Sequence, residues 1–503
     1  MFWCSHIFAL SLLLFISLRV LKYVAHCLTV HFTLRSIPRI PASSLLWGEE
    51  WNIYNSAPGA PQLAWHRRLG HVHQIVSITD PRAVTFIISE RIYDFPKPYG
   101  VRAWFKATLG EGILWTEGRD AHEYQRRIIA PGLSQSSVRM MVPIFYETAA
   151  KLAAGWCKIL DASPSEYAEI EVTDWAARFA LDTVGRAAFS HDFDCLAGGP
   201  HRLAETLDGL TNNEHKRSSF YMRALFWIFP SILNIGAKGQ MIRQSKQELG
   251  AIASRMWHDA KVAGDAEART LMAQMMRASM DSGRPMHEEE VRSHMRTVIS
   301  AGFEPVSAIV AWMIYEIAAN QRLQDALRDE IIDAGDPSFD ELRTKFPLLD
   351  ATLMETLRLH PAILENHHET AETVVVPLSE PLSDGQTHVV IPKGTTVSIP
   401  LNVLQSDPAV FGTDAHLFRA ERWLERKARG VRHAREIFAF SEGPRSCLGK
   451  AFAIAEIKVL LITLLRQFSF SCEHDIEPFQ SFVIRPRIRG QQRSSLPIAV
   501  KRL

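Results

Sequence analysis

Cysteine is scarce in this sequence, and the cysteines that occur form no pattern. The 503 residues include six cysteines, with no C-x-x-C pair and no dense cluster. Disulfide frameworks and zinc clusters need closely spaced cysteines or cysteine–histidine pairs, so the sequence predicts free thiols in a reducing compartment. We interpret five of the cysteines as ordinary packing residues, namely Cys4, Cys27, Cys157, Cys195 and Cys472.

An excess of charge is also missing. The formal net charge is +1, so nothing favours nucleic acid or a strongly charged partner. There is no internal repeat and no low-complexity block. With 47% hydrophobic and 22% charged residues, the composition is that of a globular protein with a large core.

A long apolar run stands at the N-terminus. Residues 2–18 are apolar except for three serines and a histidine, and Arg19 and Lys22 follow them. As a helix, this run reaches about 25 Å, slightly less than a bilayer core of about 30 Å, and the flanking cations can snorkel to the interface. A cleaved signal peptide is the alternative, but the positive charge follows the run and no small-x-small cleavage site appears. We therefore expect a retained transmembrane anchor over residues 1–34, with the rest of the chain in the cytoplasm.

The remainder divides into a hinge and a body. Two prolines predict a stiff hinge over residues 35–48, and the body covers residues 49–503. Alternation over residues 71–79 predicts a strand, after which the chain becomes mostly helical. Residues 371–401 have a strand composition, and a last long helix starts after Gly449. The predicted architecture is mainly α with a small β portion.

The stretch FSEGPRSCLG, residues 440–449, carries the strongest chemical signal. Cys447 precedes an apolar-periodic helix, whose dipole and free N–H groups are expected to lower the pKa of the thiol and stabilise a thiolate. Gly443 permits a tight turn, and Gly449 lets the backbone approach something large and flat. Arg445 adds a positive charge. A thiolate held in this way is either a nucleophile or a metal ligand.

This stretch resembles the heme-binding loop of the cytochrome P450 family, F-x-x-G-x-R-x-C-x-G. Every fixed position matches, at Phe440, Gly443, Arg445, Cys447 and Gly449. The resemblance implies the cytochrome P450 fold with an N-terminal membrane anchor. It also implies heme b as cofactor, with Cys447 as the axial thiolate ligand of the iron.

Two further motifs resemble a structural feature of the family. ETLR places Glu355 and Arg358 on one helical face, and FRAERW resembles the family's F-x-P-E-R-F, with alanine in place of proline. The resemblance implies that Arg422 of the second motif joins Glu355 and Arg358 in a buried triad of ion pairs under the heme loop. Loss of one member of such a triad strands a buried charge, which costs about 3–5 kcal/mol.

The stretch EGRDAHEYQRR resembles the family's helix that crosses one edge of the heme. The resemblance implies that His122 and Arg126 bind a heme propionate, a task for which the forked arginine side chain is suited. The alternative for His122 is an ordinary histidine on a helix surface. His368 falls where relatives often carry a second propionate-binding arginine, and we assign it to the same cofactor site.

The stretch AGFEPVS lies in a long amphipathic helix that begins near Val291. It resembles the family's oxygen-binding motif on the distal side of the heme. Ala301, Gly302 and Glu304 match that motif, whereas Pro305 stands where the family usually has threonine.

A proline inside a helix costs about 3 kcal/mol, because it has no N–H and its ring crowds the preceding turn. In the family, this helix has a groove at this point in which oxygen and water bind. We expect Pro305 to hold such a groove open. Proton delivery is then expected to run through Glu304 and ordered water. Ser307 is a poor substitute for the missing threonine, because it lies about 200° further round the helix.

The resemblance implies a membrane-anchored monooxygenase that inserts one oxygen atom from O2 into a lipophilic small molecule. Its electrons come from NADPH through cytochrome P450 reductase. We expect a fungal enzyme of secondary-metabolite biosynthesis, for example of terpenoids, on the endoplasmic reticulum with a cytoplasmic catalytic domain. The apolar and aromatic residues 220–233 are either a lid that dips into the membrane or a core helix.

Two other interpretations stay open because Pro305 replaces the usual threonine. The first is a reductase-independent heme-thiolate enzyme, such as a peroxygenase, isomerase or dehydratase. The second is a heme protein without enzymatic activity that senses or carries a ligand. Reductase-dependent turnover distinguishes the monooxygenase from the first, and any turnover distinguishes both enzymes from the second.

Overall fold

The chain folds into a mainly helical body with four small sheets, as the computed structural model shows, which confirms the predicted fold class in this general form. The structure describes most of the chain from residue 28 onward and part of residues 14–26. The continuous described ranges are 28–35, 37–44, 47–73, 76–198, 202–211, 216–227, 229–263, 270–284, 286–382, 384–428 and 437–503. Most of the predicted anchor, including Cys4 and Cys27, lies outside the described residues.

The α-helices are numbered here in chain order. They are α1 Glu50–Asn55, α2 Ala60–Leu69, α3 Pro81–Thr85, α4 Tyr99–Thr108, α5 Arg119–Ile129, α6 Gln135–Ala162, α7 Val172–Phe189, α8 Arg202–Thr211, α9 Arg217–Phe226, α10 Gly236–Ala263, α11 Leu271–Asp281, α12 Glu288–Ala319, α13 Gln321–Ile331, α14 Phe339–Thr344, α15 Pro347–Leu359, α16 Leu401–Leu404, α17 Pro408–Phe411, α18 Glu421–Ala428 and α19 Lys450–Leu465.

The strands are β1 Val72–His73, β2 Ser77–Ile78, β3 Tyr167–Glu171, β4 Glu365–Glu369, β5 Val374–Pro377, β6 His388–Ile391, β7 Thr396–Pro400, β8 Phe468–Ser471, β9 Ile476–Gln480, β10 Ile484–Ile488 and β11 Pro497–Arg502. The largest sheet has the order β1-β2-β7-β4, with β2 parallel to β7 and the other pairs antiparallel. The remaining sheets are β3-β11-β8, β9-β10 and β5-β6.

Helix α12 runs through the middle of the body. Three glutamates in its first turn face the positive end of the helix dipole, and Pro305 lies inside it without ending it. Within the described residues, this helix is long and apolar enough to cross a membrane, but 78% of its most apolar window is buried inside the protein. The buried face explains the apolar period of its sequence, since a core helix needs the same composition.

The structure corrects several secondary-structure predictions. The strand expected over residues 71–79 is instead the antiparallel pair β1 and β2, and β3 lies within a stretch that was expected to be helical. The stretch with strand composition, residues 371–401, contains β5, β6 and β7, and the last two belong to different sheets although they are close in sequence. Strand β4, ENHHE, and the C-terminal strands were not predicted, because pairing with distant strands outweighs their weak local pattern.

The predicted hinge is packed against the body. Leu34 and Ile37 have no more than 2% of their surface exposed, and they belong to a core cluster that includes Ile78 and Val397 of the largest sheet. A free spacer would leave these side chains in water. Apolar burial therefore holds the junction between the predicted anchor, which ends at Leu34, and the predicted hinge against the body, while the boundary itself stays a prediction.

Candidate active site

The loop before α19 holds Cys447 in a fixed turn. The N–H of Cys447 donates to the carbonyl of Phe440 at 2.8 Å. Gly443 has a φ of +68°, and a Cβ there would lie 2.6 Å from the carbonyl oxygen of Ile88, so only glycine fits. At Gly449 the nearest atom to an added Cβ is Cys447 Sγ, 4.0 Å away, so the space beside the sulfur is open.

Cys447 is accessible although it lies deep in the protein. Its side chain has room for a water-sized molecule beside it, but protein atoms surround the site on most sides. This burial raises the pKa of the thiol above the ordinary value. The Gly449 N–H, Arg126 and Lys450 act in the opposite direction but do not outweigh burial. The expected lowering of the pKa is thus wrong for the protein alone, because desolvation of a thiolate exceeds the effect of a helix end. An accessible side chain inside the fold requires an internal cavity beside it.

Helix α12 presents an accessible stripe in its middle. Ala301 is exposed and Val298, Gly302 and Pro305 are half-buried, whereas Phe303, Glu304 and Val306 around them are buried. The steps of three and four residues place the four accessible positions on one face. The loop residue Leu448 packs against the core cluster that contains Ile299 and Phe303, so the stripe and Cys447 adjoin the same part of the interior.

Gly302 has a packing role in addition to its place on this stripe. A Cβ at Gly302 would lie 2.9 Å from Val184 Cγ2, so the glycine allows α12 and α7 to approach closely. Ser307 donates its hydroxyl to the carbonyl of Glu304 at 2.9 Å and is buried, as expected for a side chain on another face. The cavity side of the helix therefore carries no hydroxyl at the positions of the oxygen-binding motif.

Glu304 faces an ion-pair network away from the accessible stripe. Its Oε1 lies 3.5 Å from a guanidinium nitrogen of Arg485 on β10, and Arg485 also donates to Asp208 Oδ1 at 2.6 Å. Both Glu304 and Arg485 are buried, whereas Asp208 is partly exposed. Sequence reasoning missed Arg485, since no local spacing relates residues 304 and 485.

Several basic side chains converge near Cys447. Arg126 on α5 donates to the carbonyl oxygen of Ser446 at 2.7 Å and to its hydroxyl at 3.1 Å, beside the cysteine. Arg445 pairs with Glu117, and Lys97 Nζ also reaches Glu117 Oε1 at 2.8 Å. The cluster thus holds three cations and one carboxylate, and Glu117 pairs with two of the cations, Lys97 and Arg445. The surplus of two positive charges suits an anionic group with two carboxylates.

Electrostatics in this basic cluster show the same surplus. Burial lowers the pKa of Lys97 to about 8, and Arg445 contributes to the shift. Burial acts to raise the pKa of Glu117, but Lys97 and Arg445 outweigh it and hold this pKa below its ordinary value. Arg445 Nε is buried without a hydrogen-bond partner among the described residues, so the guanidinium has an unused donor.

The two histidines assigned to the cofactor lie beside the basic cluster. His122 Nδ1 is 3.1 Å from the Tyr93 hydroxyl, and His368 Nδ1 donates to the carbonyl of Phe95 at 3.0 Å. Burial, with Arg445 as the next cause for His122, lowers the pKa of each histidine to about 4. His368 Nε2 is buried and has no hydrogen-bond partner in the described part of the chain. Because Nδ1 carries the proton of the neutral ring, Nε2 is an acceptor, and it can donate to a bound carboxylate only after the ring takes up a second proton.

The structure brings the three members of the predicted triad together. Arg358 donates to both carboxylate oxygens of Glu355 at 2.7 and 2.8 Å, and Arg422 Nε lies 3.4 Å from Glu355 Oε1. The side chains of Glu355 and Arg358 are fully buried. Trp423 Nε1 also donates to Glu355 at 2.9 Å, and the N–H of Arg419 donates at 2.9 Å. The carboxylate is thus fully satisfied, as a buried charge requires.

Sequence reasoning missed Lys97 and Glu117 as members of the site. Lys97 lies in the loop before α4, and Glu117 lies two residues before α5. Both residue types are common on surfaces, so their local sequence gives no signal. A usable signal was the position of Glu117 at the start of the stretch that also contains His122 and Arg126.

Comparisons with known proteins agree with this arrangement. The family model described as Cytochrome P450 matches residues 60–490. Cytochrome P450 monooxygenase claW of Ampulloclitocybe clavipes is 31% identical over 497 residues, which cover 92% of each chain. Cytochrome P450 monooxygenase claU of the same fungus is 30% identical with 92% of each chain covered, and cytochrome P450 monooxygenase 205 of Postia placenta is 28% identical with 93% of each covered. The family match spans the cysteine loop, α12 and the ion-pair triad.

Proposed function

This chain belongs to the cytochrome P450 family, and we propose that it is a heme-thiolate monooxygenase that inserts one oxygen atom from O2 into a lipophilic small molecule. The observation that carries this proposal is the accessible Cys447 thiol inside the fold, with open space beside Gly449. The family implies heme with a cysteine thiolate ligand, and Cys447 is the cysteine in the matching loop.

The residues around this space fit a heme. Cys447 Sγ would hold the iron, and Gly449 leaves room for a flat ring to approach. Arg126, Arg445 and Lys97 would hold the two propionates, whose charges match the surplus of the cluster. When bound, a heme with a thiolate ligand supplies dioxygen activation, because the thiolate favours cleavage of the O–O bond.

The residues of α12 beside the cavity would position protons. Because the accessible stripe carries no hydroxyl at the positions of the oxygen-binding motif, ordered water has to connect the cavity with Glu304. We propose that Glu304 relays a proton, through ordered water, between the cavity and the partly exposed Asp208, while Arg485 stays protonated and holds the two carboxylates. A positioned carboxylate of this kind contributes about 10²–10⁴-fold to a proton-dependent step.

The electron source and the location rest on the family and on surface chemistry. Members of this family generally use a redox partner, and we propose NADPH with cytochrome P450 reductase for this chain. Support for a membrane anchor comes from exposed apolar side chains of residues 14–32. These are Leu14, Leu18, Leu21, Val24, Leu28 and Phe32, all between 46% and 64% exposed. Spacings of three and four residues are typical of one face of a helix.

A second surface supports membrane contact near the predicted lid. Phe220 on α9 has its ring centroid 4.7 Å from that of Trp51 and 5.3 Å from that of Trp47. Phe220 itself is buried, whereas Tyr221 and Phe229 are 46% and 63% exposed. Aromatic side chains of this kind favour the interface between water and lipid. We propose that residues 220–233 contact the membrane next to the entrance for a hydrophobic substrate. We also propose that the enzyme acts in secondary-metabolite biosynthesis.

A reductase-independent heme-thiolate enzyme is the second candidate. The observation that favours it is Pro305, which stands on the accessible face of α12 where a hydroxyl is usual for the family. A protein that only senses or carries a heme ligand is the third. Cys447 is the heme ligand in both of these candidates. Turnover that requires the reductase distinguishes the monooxygenase from them.

The test of the ligand assignment is spectroscopic. The reduced, heme-loaded protein should show the red-shifted absorption band of thiolate ligation after exposure to carbon monoxide. Cys447→Ser should abolish this band, since an alcohol is a poor substitute for the thiolate. Cys472→Ser, which changes a half-buried cysteine elsewhere, should leave the band intact. An unchanged band in Cys447→Ser would refute the assignment. With reductase, NADPH and a set of lipophilic compounds, parent protein should form an oxygenated product that Cys447→Ser does not form.

A further inference from the structure

Three metal-ligand side chains converge outside the candidate active site. His66 lies in the last turn of α2, His71 lies just before β1, and Asp407 caps the N-terminus of α17. Each offers one ligand atom, and these atoms all lie within 4.8 Å of one another. All three side chains are half-buried, so they are accessible without being freely mobile.

A buried hydroxyl holds both rings of this histidine pair. Thr79 Oγ1 lies 3.1 Å from His66 Nδ1 and 3.3 Å from His71 Nδ1, and it donates to the carbonyl of His71 at 3.1 Å. The ring centroids are 4.9 Å apart with an interplanar angle of 69°. The hydroxyl lies within hydrogen-bond distance of both rings, and the tautomer of each ring decides which partner donates. An outer-shell partner of this kind fixes the orientation of metal-bound histidines.

The donor set has the chemistry of a first-row divalent cation. Two imidazoles and one carboxylate are ligands that Zn²⁺ accepts at about 2.0–2.2 Å, with a water in the fourth position. A tetrahedral arrangement at those lengths separates the ligand atoms by about 3.4 Å, which side-chain rotation can reach from the present spacing.

We propose that His66, His71 and Asp407 form a binding site for a zinc-type divalent cation. The site joins α2 and the loop before β1 to the segment that precedes α17, which is more than three hundred residues later in the chain. A cation at this point closes a long loop in the folded state and binds the unfolded chain far more weakly. It therefore acts as a structural clamp, separate from Cys447 and its basic cluster.

The test uses the full-length, heme-loaded protein without a histidine tag. After treatment with a chelator and its removal, ZnCl2 is titrated against a chromophoric zinc indicator. We expect one Zn²⁺ per chain in the parent protein. His66→Gln, His71→Gln and Asp407→Asn should each weaken binding at least about tenfold. Asparagine caps a helix nearly as well as aspartate, so Asp407→Asn should fold normally. The matched control is His416→Gln, which changes an exposed histidine outside the cluster and should bind zinc like the parent.

A second measurement separates loss of binding from loss of folding. Zinc at about a hundred times the dissociation constant of the parent should raise the thermal midpoint of the parent and of His416→Gln by about 2 °C, and should raise that of the three ligand variants by no more than about half as much. Co²⁺ in place of zinc should give, in difference spectra against the metal-free protein, visible absorption bands typical of tetrahedral coordination in the parent and in His416→Gln but not in the three ligand variants. A parent that binds no stoichiometric zinc, or ligand variants that bind it as tightly as the parent, would overturn the proposal and leave an ordinary hydrogen-bonded cluster.

Discussion

At the residue scale, Glu456 is a charge-bearing side chain in a place where a charge is costly. It lies in the middle of α19 with no exposed surface, and both carboxylate oxygens lack hydrogen-bond partners among the described residues. Burial raises the pKa of Glu456 well above its ordinary value. The folded protein therefore keeps this carboxyl protonated at a pH at which the unfolded chain ionises it.

The sign of the pH effect follows from proton binding. Between the ordinary pKa of glutamate, about 4.3, and the raised pKa of Glu456, the folded state holds more protons than the unfolded state. The contribution of Glu456 to the free energy of unfolding is thus fully present at low pH. It falls by about 1.4 kcal/mol for each pH unit as pH rises through that window.

We expect Glu456→Gln to remove this part of the pH dependence. The stability of the variant relative to the parent should rise steadily as pH increases from about 4, because glutamine cannot ionise. Denaturant unfolding at several pH values measures the difference. The control is Ile457→Val on the same helix, which should cost about 0.5–1.5 kcal/mol at every pH. A constant difference between Glu456→Gln and parent would contradict the expectation.

At the scale of the element, α12 combines a packing task with a chemical one. Its apolar faces fill the core, while Ala301 and Pro305 remain accessible on the stripe toward the cavity. Glu304 is turned from that stripe toward Arg485. Pro305 and Glu304 are neighbours in sequence, but they lie on different faces of the helix. Substitutions at the two positions therefore test different groups.

We expect Glu304→Gln to slow reductase-driven turnover by about 10²–10⁴-fold, because it removes the group that moves the proton. Pro305→Thr should change turnover little or improve coupling slightly, since water and Glu304 already suffice. The measurement is the ratio of product formed to NADPH consumed, once a substrate is known. Ser307→Ala is the matched control, since its hydroxyl bonds only to a backbone carbonyl, and it should behave like the parent.

Two results would change this interpretation in different ways. A coupled parent that is insensitive to Glu304→Gln would refute the proton route and leave the monooxygenase proposal intact. A parent that gives product with peroxide or with substrate alone, and none with NADPH and reductase, would favour the reductase-independent enzyme. In that case Pro305→Thr is the variant expected to create oxygenase activity.

At the scale of the whole molecule, the join between the N-terminal segment and the body is part of the core. Leu34 and Ile37 are buried against the largest sheet, whereas several described apolar side chains before them, among them Leu28 and Phe32, are exposed. The N–H of Leu34 donates to the carbonyl of Val30 at 2.9 Å, so helical order continues up to the packed residues. Truncations on the two sides of Leu34 should therefore behave differently.

We expect removal of residues 1–27 to release most of the protein from membranes with its heme content unchanged. Removal of residues 1–37 should also destabilise the body, by roughly 2–5 kcal/mol, because it deletes two fully buried apolar side chains. Membrane flotation, heme content and thermal midpoint of the two truncations give the comparison. Residual membrane binding after the shorter truncation would point to residues 220–233. Equal stability of the two truncated forms would contradict a packed hinge.

The sequence alone was sufficient for features that depend on local spacing. The cysteine loop at residues 440–449, the long helix α12 with Pro305 inside it, and the family itself were all predicted from short stretches of residues. Helical periodicity and turn glycines act over a few residues, so a linear pattern records them. The i, i+3 spacing of Glu355 and Arg358 belongs to the same class, and the pair lies as its spacing indicated.

The tertiary structure alone decided which distant charges meet. Lys97 and Glu117 meet Arg445 from another part of the chain, Arg485 pairs with Glu304, and Asp407 lies beside His66 and His71. It also decided the sign of the pKa shift of Cys447, because burial depends on the surrounding fold and exceeds the local effect of a helix end. These contacts join residues far apart in sequence, where no repeating interval relates one partner to the other, so the path of the folded chain alone determines them.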